Sequence, residues 1–90
     1  MEFEWDPKKA DTNKRKHGVT FQEGTTFFGD SLAVTYADPD HSGDEERHIT
    51  FGVSTQKRLL VVSHAHRGSR TRIISARLMT RIERKIYEQG

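Results

Sequence analysis

The residue types able to do chemistry are gathered in the second half of the chain. His64 and His66 alternate within Leu59–Arg67, and Ser75 and Arg77 follow within Arg72-Ile73-Ile74-Ser75-Ala76-Arg77. Histidine titrates near neutral pH and serves as acid or base. Arginine supplies a fixed charge in a fork that fits phosphate. Together they suit metal-free RNA cleavage. That reaction needs a base for the 2′-hydroxyl proton, an acid for the leaving oxygen, and cations for the charge building on phosphate. A histidine pair on a half-exposed strand also fits a plain surface, so composition alone leaves both readings open.

Other chemistries are less well served. There is no cysteine, which excludes disulfides and thiolate metal sites. His64 and His66 could project together from a strand, but a zinc site needs further ligands. The loop beginning at Asp38 has oxygens at its first, third and fifth positions and Gly43 at the sixth. Its twelfth position is Ile49, where calcium needs a bidentate glutamate. Neither metal nor cofactor is expected.

The elements that must position these groups follow from local pattern. Leu59–Val62 is an apolar run suited to a buried strand. Gly68-Ser69 suits a two-residue turn with glycine at positive φ, and Thr71–Leu78 returns as the partner strand. That turn sets Arg67 opposite Arg70, His66 opposite Thr71, His64 opposite Ile73, Val62 opposite Ser75 and Leu60 opposite Arg77. Opposite residues share a face, so His64, His66, Ser75 and Arg77 are expected on one side of the sheet. A slip of one residue would exchange these partners.

Earlier segments are read the same way. Phe3 and Trp5 alternate with acids as a short strand would. Asp6-Pro7 is a helix start, and Gly18 a natural stop, giving a helix over 7–17. Its face at Ala10, Asn13 and His17 implies shallow burial. Thr20-Phe21-Gln22-Glu23 has capping-box spacing before a short helix to Phe28 with a stripe of Phe21, Thr25 and Phe28. Gly24 inside it costs about 1 kcal/mol relative to alanine. Leu32–Tyr36 is a strand. Arg47–Val53 alternates, with Ile49, Phe51 and Val53 on one face and His48, Thr50 and Gly52 on the other. Thr80-Arg81-Ile82-Glu83 is a second capping box, opening a last helix to about Gln89. The order β-α-α-β-β-β-β-α, with short connections, predicts an α+β fold with a mostly antiparallel sheet and helices over one face.

The 90 residues are expected to form a single domain, 1–90. No apolar run approaches the roughly 20 residues of a membrane span, and the opening residues carry no apolar leader, so a cytoplasmic location is expected. Net charge is +2, but residues 57–90 carry nine Lys/Arg, seven of them arginine, against two Asp/Glu. A local excess of this kind favours a polyanion such as RNA; the alternative is a solvated face whose long side chains cover apolar surface.

Taken in order, the segments resemble the BrnT family of type II toxin–antitoxin toxins. The matching pieces are Phe3-Glu4-Trp5-Asp6, Asn13 with Lys16-His17-Gly18, Phe21-Gln22-Glu23, Phe28-Gly29-Asp30 and Asp38-Pro39-Asp40-His41. They continue with Glu46-Arg47, Arg58-Leu59-Leu60-Val61-Val62, Arg72-Ile73-Ile74-Ser75-Ala76-Arg77 and Glu83-Arg84 with Tyr87. The resemblance implies a RelE-like fold and ribonuclease activity that arrests translation. It also implies a BrnA-type ribbon-helix-helix antitoxin, a two-plus-two complex with it, and contact with operator DNA only through that antitoxin. Carried onto this chain, it implies Glu46 as base, His64 as acid and Arg67 and Arg77 on phosphate. RNA would also be held by Lys16, His17, Arg47, Arg72 and Ser75. Two positions depart from similar sequences: His66 where an acid is frequent, and Gly24 where alanine is common.

Each candidate also has a structural reading. Asn13 and His17 could satisfy backbone groups, and Arg47 and Arg77 could pair with the acidic loop. At the level of function, the rivals are a non-catalytic module binding nucleic acid or protein through its basic surface, and an inactive toxin-fold co-repressor.

Overall fold

The computed structural model describes residues 2–38 and 46–89. The acidic loop over 39–45, and with it most of the rejected calcium motif, lies outside the described residues. Strand β1 (Glu2–Glu4) leads into helix α1 (Pro7–His17), helix α2 (Phe21–Thr26) and a 3-10 turn (Phe27–Gly29). Strands β2 (Val34–Ala37), β3 (Arg47–Val53), β4 (Leu59–Arg67) and β5 (Arg70–Leu78) follow, then helix α3 (Arg81–Gln89). The sheet order is β1-β5-β4-β3-β2, antiparallel except for the parallel β1–β5 pair. The expected α+β order is the observed one. Among the described residues no helix is long and apolar enough to cross a membrane.

Local chemistry sets the helix ends. The Asp6 carboxylate accepts from the Lys8 amide at 2.8 Å, and left-handed Gly18 ends α1. Thr80 and Glu83 form the reciprocal capping box of α3: the Thr80 amide donates to the Glu83 carboxylate at 2.8 Å, and the Glu83 amide to the Thr80 hydroxyl at 3.2 Å. At Thr20 half of the expected box forms. The Glu23 amide donates to the Thr20 hydroxyl at 3.0 Å, while the carboxylate turns into the protein.

Helices α1 and α2 cover one face of the sheet. Beneath them Val19, Phe21, Phe27, Leu60, Val62, Ile73 and Ala76 form the core, with Phe3, Trp5, Ala10 and Phe28 packed against it. The stripe of α2 differs from the expected one: Phe21, Glu23 and Gly24 are buried, and Phe27 rather than Phe28 fills the interior. A Cβ on Gly24 would stand 3.2 Å from Val62 Cγ2 and 3.4 Å from Ala76 Cβ. The glycine therefore lets α2 approach the sheet, which offsets the helix propensity it forgoes.

Asn13, buried on α1, acts as a substitute strand. Its side-chain amide donates to Val19 O at 2.9 Å and Ala76 O at 2.7 Å, and its carbonyl accepts from the Ala76 amide at 3.1 Å. These bonds satisfy the β5 backbone beyond the point where β1 ends. The backbone role open to Asn13 in the sequence is the one observed.

Candidate functional site

The register of β4 and β5 decides which side chains meet. Near the turn it is as expected: Arg67 faces Arg70, His66 faces Thr71 and His64 faces Ile73. A bulge then follows, and Ser63 faces Ser75, Val62 faces Ala76, Val61 faces Arg77 and Leu60 faces Leu78. The expected grouping of His64 and His66 with Ser75 and Arg77 is thereby corrected. The extra residue in β5 carries Ser75 and Arg77 to the opposite side. The bulge also keeps Ile73 and Ala76 in one core although they are three residues apart.

Two faces result. On the helix side stand His48, Thr50, Val62, His64, His66 and Thr71. His64 is 4 % exposed. Its Nε2 lies 2.7 Å from the Thr50 hydroxyl, itself 2.8 Å from the Thr35 hydroxyl. The His64 ring meets Phe28 edge-on with centroids 5.0 Å apart, and the His48 and His66 rings lie 5.9 and 6.3 Å away. Burial, reinforced by the neighbouring His48 and His66, pushes the His64 pKa down to about 4. With Nε2 on the Thr50 hydroxyl and its ring against Phe28, His64 stands on the side of the sheet away from Ser75 and Arg77. Nδ1 of His48 and of His64 are buried without a hydrogen-bond partner among the described residues. Among those residues no three His, Asp or Glu side chains are placed to share a metal ion.

The other face holds the cations. One row across the sheet runs Arg47, Ala65, Arg72 and Glu4. The next, toward the turn, adds Arg67, Arg70 and Glu2. The row on the other side runs Tyr36, Ile49, Ser63 and Ser75, and beyond it come Val34, Phe51, Val61 and Arg77. Arg72 reaches Glu4 at 3.2 Å and Arg70 reaches Glu2 at 3.3 Å. Arg77 makes a two-pronged contact with Glu83, at 2.7 and 2.9 Å. That pair holds the Glu83 carboxyl down at about 2 and ties α3 across this end of the face. Among the described residues the acidic partner of Arg77 is therefore on α3, and the Arg77 guanidinium also donates to Leu78 O at 3.2 Å.

Glu46 is exposed and directly precedes β3. Lys16 and His17 lie elsewhere again, at the end of α1, where basic side chains complement the helix dipole. With Lys8, Lys9, Thr12 and Asn13 they line a shallow cleft of about 340 Å³ whose far wall is Ile74 and Ser75. Ser75 thus links the α1 cleft to the arginine-bearing side of β5. The structure brings Arg47, Arg67, Arg72, Ser75 and Arg77 to one face and places Lys16 and His17 at its edge. His64 stands on the other side of the sheet.

Sequence reading left out Arg70, Ser63 and Tyr36, which share the open face: Arg70 through its pairing with Arg67 beside the turn, Ser63 through β3–β4 register and Tyr36 through β2–β3 register. It also left out the anchor at Glu23. This carboxylate, 3 % exposed, pairs with Arg58 through both oxygens and accepts from the Ser54 hydroxyl at 2.7 Å. Arg58 further donates to Gly18 O at 3.2 Å. The hydrogen bond from Arg58 holds the Glu23 carboxyl below its ordinary range against the opposing effect of burial.

A family model described as the ribonuclease toxin BrnT of type II toxin–antitoxin systems matches residues 5–83. The chain belongs to the BrnT family. Membership makes it a toxin of a type II toxin–antitoxin system and a ribonuclease, with RNA as substrate class and an antitoxin as partner. Among solved structures, the crystal structure of the Brucella abortus ribonuclease toxin BrnT superposes with a TM-score of 0.67. The match covers 90% of this chain and 99% of that one at 24% identity, a level at which the likeness shows the fold alone. A comparison with curated proteins gives no match.

Proposed function

We propose that this BrnT-family chain is a metal-independent endoribonuclease that arrests translation in the cytoplasm, with residues 1–90 acting as one toxin domain. A BrnA-type ribbon-helix-helix antitoxin neutralises it in a two-plus-two complex, which alone contacts operator DNA. The observation that carries this reading is the arginine face: Arg47, Arg67, Arg72 and Arg77 on one side of three adjacent strands, with Ser63 and Ser75 between them.

RNA lies across this face with its phosphates on Arg47, Arg67 and Arg72. The 2′-oxygen attacks phosphorus, the bond to the 5′-oxygen breaks, and a 2′,3′-cyclic phosphate and a 5′-hydroxyl result. The 2′-hydroxyl proton passes to a base, for which Glu46 beside Arg47 is our candidate, and an acid protonates the departing 5′-oxygen. Guanidinium groups stabilise the extra negative charge on the pentavalent phosphorane more than they stabilise the ground state. Ser75 and the Lys16–His17 cleft extend the track for the strand. Arg77 acts at its margin, where Glu83 fixes its orientation. His64, buried on the helix side of the sheet, supports β3 and β4 through Thr50 and lies away from this phosphate track.

The test is cleavage of RNA by the purified, antitoxin-free protein, with and without EDTA, with mapping of the new 3′ ends. Cleavage that survives EDTA and leaves cyclic phosphate is the expected result. Loss of cleavage in EDTA contradicts metal independence. If neither naked RNA nor mRNA on translating ribosomes is cut, the ribonuclease reading fails.

A further inference from the structure

The open face continues past the arginines into an apolar groove. Leu32, Val34, Tyr36, Ile49 and Phe51 line one side and α3 supplies Ile86, enclosing about 590 Å³. The alternation of β3 is inverted relative to hydrophobicity. Thr50 and Gly52 are buried against the helices, while Ile49 and Phe51 are turned to the open side. The cause is local. A Cβ at position 52 would stand 2.9 Å from the Phe27 ring, and Thr50 is held by Thr35 and His64. The apolar residues of β3 therefore face a groove that the described residues leave open. Leu32 is 73 % and Ile86 63 % exposed, and contiguous apolar surface of this kind marks an interaction site.

Three features identify the occupant. First, the lining is apolar, with Leu32, Val34, Ile49 and Ile86 beside the rings of Tyr36, Phe51 and Tyr87, and its one charge is the carboxylate of Glu83; such a surface suits apolar protein side chains and repels a phosphate backbone. Second, β2 is one of the two edge strands, and its sequence Val-Thr-Tyr-Ala carries none of the charge or proline that guards a free edge. Third, the groove merges with the cationic face: Ile49 is two residues from Arg47 on the same side of β3, and Glu83, the partner of Arg77, also lines the groove. A second copy of the chain would bring its own excess of seven positive charges over 57–90 against this one.

We propose that the groove is where the antitoxin docks, through a segment with apolar side chains followed by acidic ones. The apolar part fills the space between α3 and β2–β3, and the acidic part lies on the arginines. This inference rests on the toxin–antitoxin reading and adds how neutralisation works: the antitoxin occupies the RNA face from an adjoining apolar anchor.

The test uses Leu32→Glu/Ile86→Glu, two exposed positions outside the RNA face, and the purified cognate antitoxin. Calorimetric affinity is expected to fall about 30-fold or more, as for loss of an interface hot spot. The free variant should retain the RNA cleavage of the unaltered protein and escape inhibition at equimolar antitoxin. A folded variant that binds the antitoxin unchanged overturns the proposal. So does one that loses RNA binding while keeping the antitoxin, since the groove would then hold RNA. The single variants, each about 5-fold weaker, decide if the double variant does not fold. The affinity readout stands whether or not the unaltered protein cuts RNA, so it separates this proposal from the ribonuclease reading.

Discussion

The two sides of one sheet have opposite fates. On the helix side Val62, Ile73 and Ala76 are buried with Phe21 and Phe27, and even the polar groups there, Thr50, His64 and Thr71, are nearly inaccessible. On the other side the same strands present Arg47, Arg67, Arg72 and Arg77, and α3 lies over one end without burying any residue of its own. One side is spent on packing, and the other carries the surface on which the proposed function rests. Burial in close packing carries the fold, whereas the arginines of the open face, Arg72 and Arg77 among them ion-paired to Glu4 and Glu83, keep their charge within reach of a partner.

That contrast can be broken or sharpened by substitution. The largest effect is expected at the anchor on the helix side. Arg58→Ala strands the buried Glu23 carboxylate, and should cost about 3 kcal/mol, seen as a fall in Tm of roughly 12 °C or more. A mere surface pair would cost under about 1 kcal/mol, so a small shift would show that the Glu23 site is wetter than described.

An effect of similar size is expected from pH. The folded His64 pKa of about 4 lies below the ordinary 6.5. Between these values the unfolded chain binds the proton and the folded chain does not. The stabilisation is therefore complete above pH 6.5 and is lost as pH falls toward 4, by up to about 3 kcal/mol. Urea unfolding at pH 7 and pH 5 should reveal it. His64→Gln, which keeps an amide near Thr50, should flatten the slope in that window. The depressed Glu83 carboxyl contributes separately, its stabilisation being lost below its ordinary 4.5 toward about 2.

On the open face the effects should fall on activity instead. Arg47→Ala with Arg72→Ala is expected to reduce RNA cleavage about 100-fold, the scale of losing charge stabilisation in the transition state. The accompanying stability change should be under about 1 kcal/mol. Cleavage within a few-fold of the parent would remove these residues from the site. The smallest effect is expected on α3: Ile82→Lys, at a position 71 % exposed, should change stability by no more than about 0.5 kcal/mol.

Much of the architecture was legible in the sequence because it depends on local chemistry. Asp6-Pro7 and Gly18 mark α1, Thr80 and Glu83 open α3, and alternation over Arg47–Val53 delimits β3 to the residue. Gly68-Ser69 gives the turn and the correct pairing of its first four residue pairs, but a bulge has no comparable local signature. The extra residue near Ile74 is imposed by packing: Ile73 and Ala76 must both reach the core. The face assembled from spacing therefore mixed two sides, grouping His64 and His66 with Ser75 and Arg77, which stand on the other. Glu23–Arg58 was hidden for a related reason. The two residues lie 35 positions apart, and capping-box spacing offered a sufficient local explanation for the glutamate. The family resemblance was legible because it rests on ordered segments, which survive uncertainty about which way each side chain points.

The most direct test of the open-face account is an NMR titration with an RNA oligonucleotide blocked by 2′-O-methylation, following arginine Nε–H and histidine ring signals. The account predicts that the guanidinium signals of Arg47, Arg67 and Arg72 shift with RNA, while the His64 ring on the buried side stays in place. Shifts confined to the histidines, with all three arginines unmoved, would contradict it.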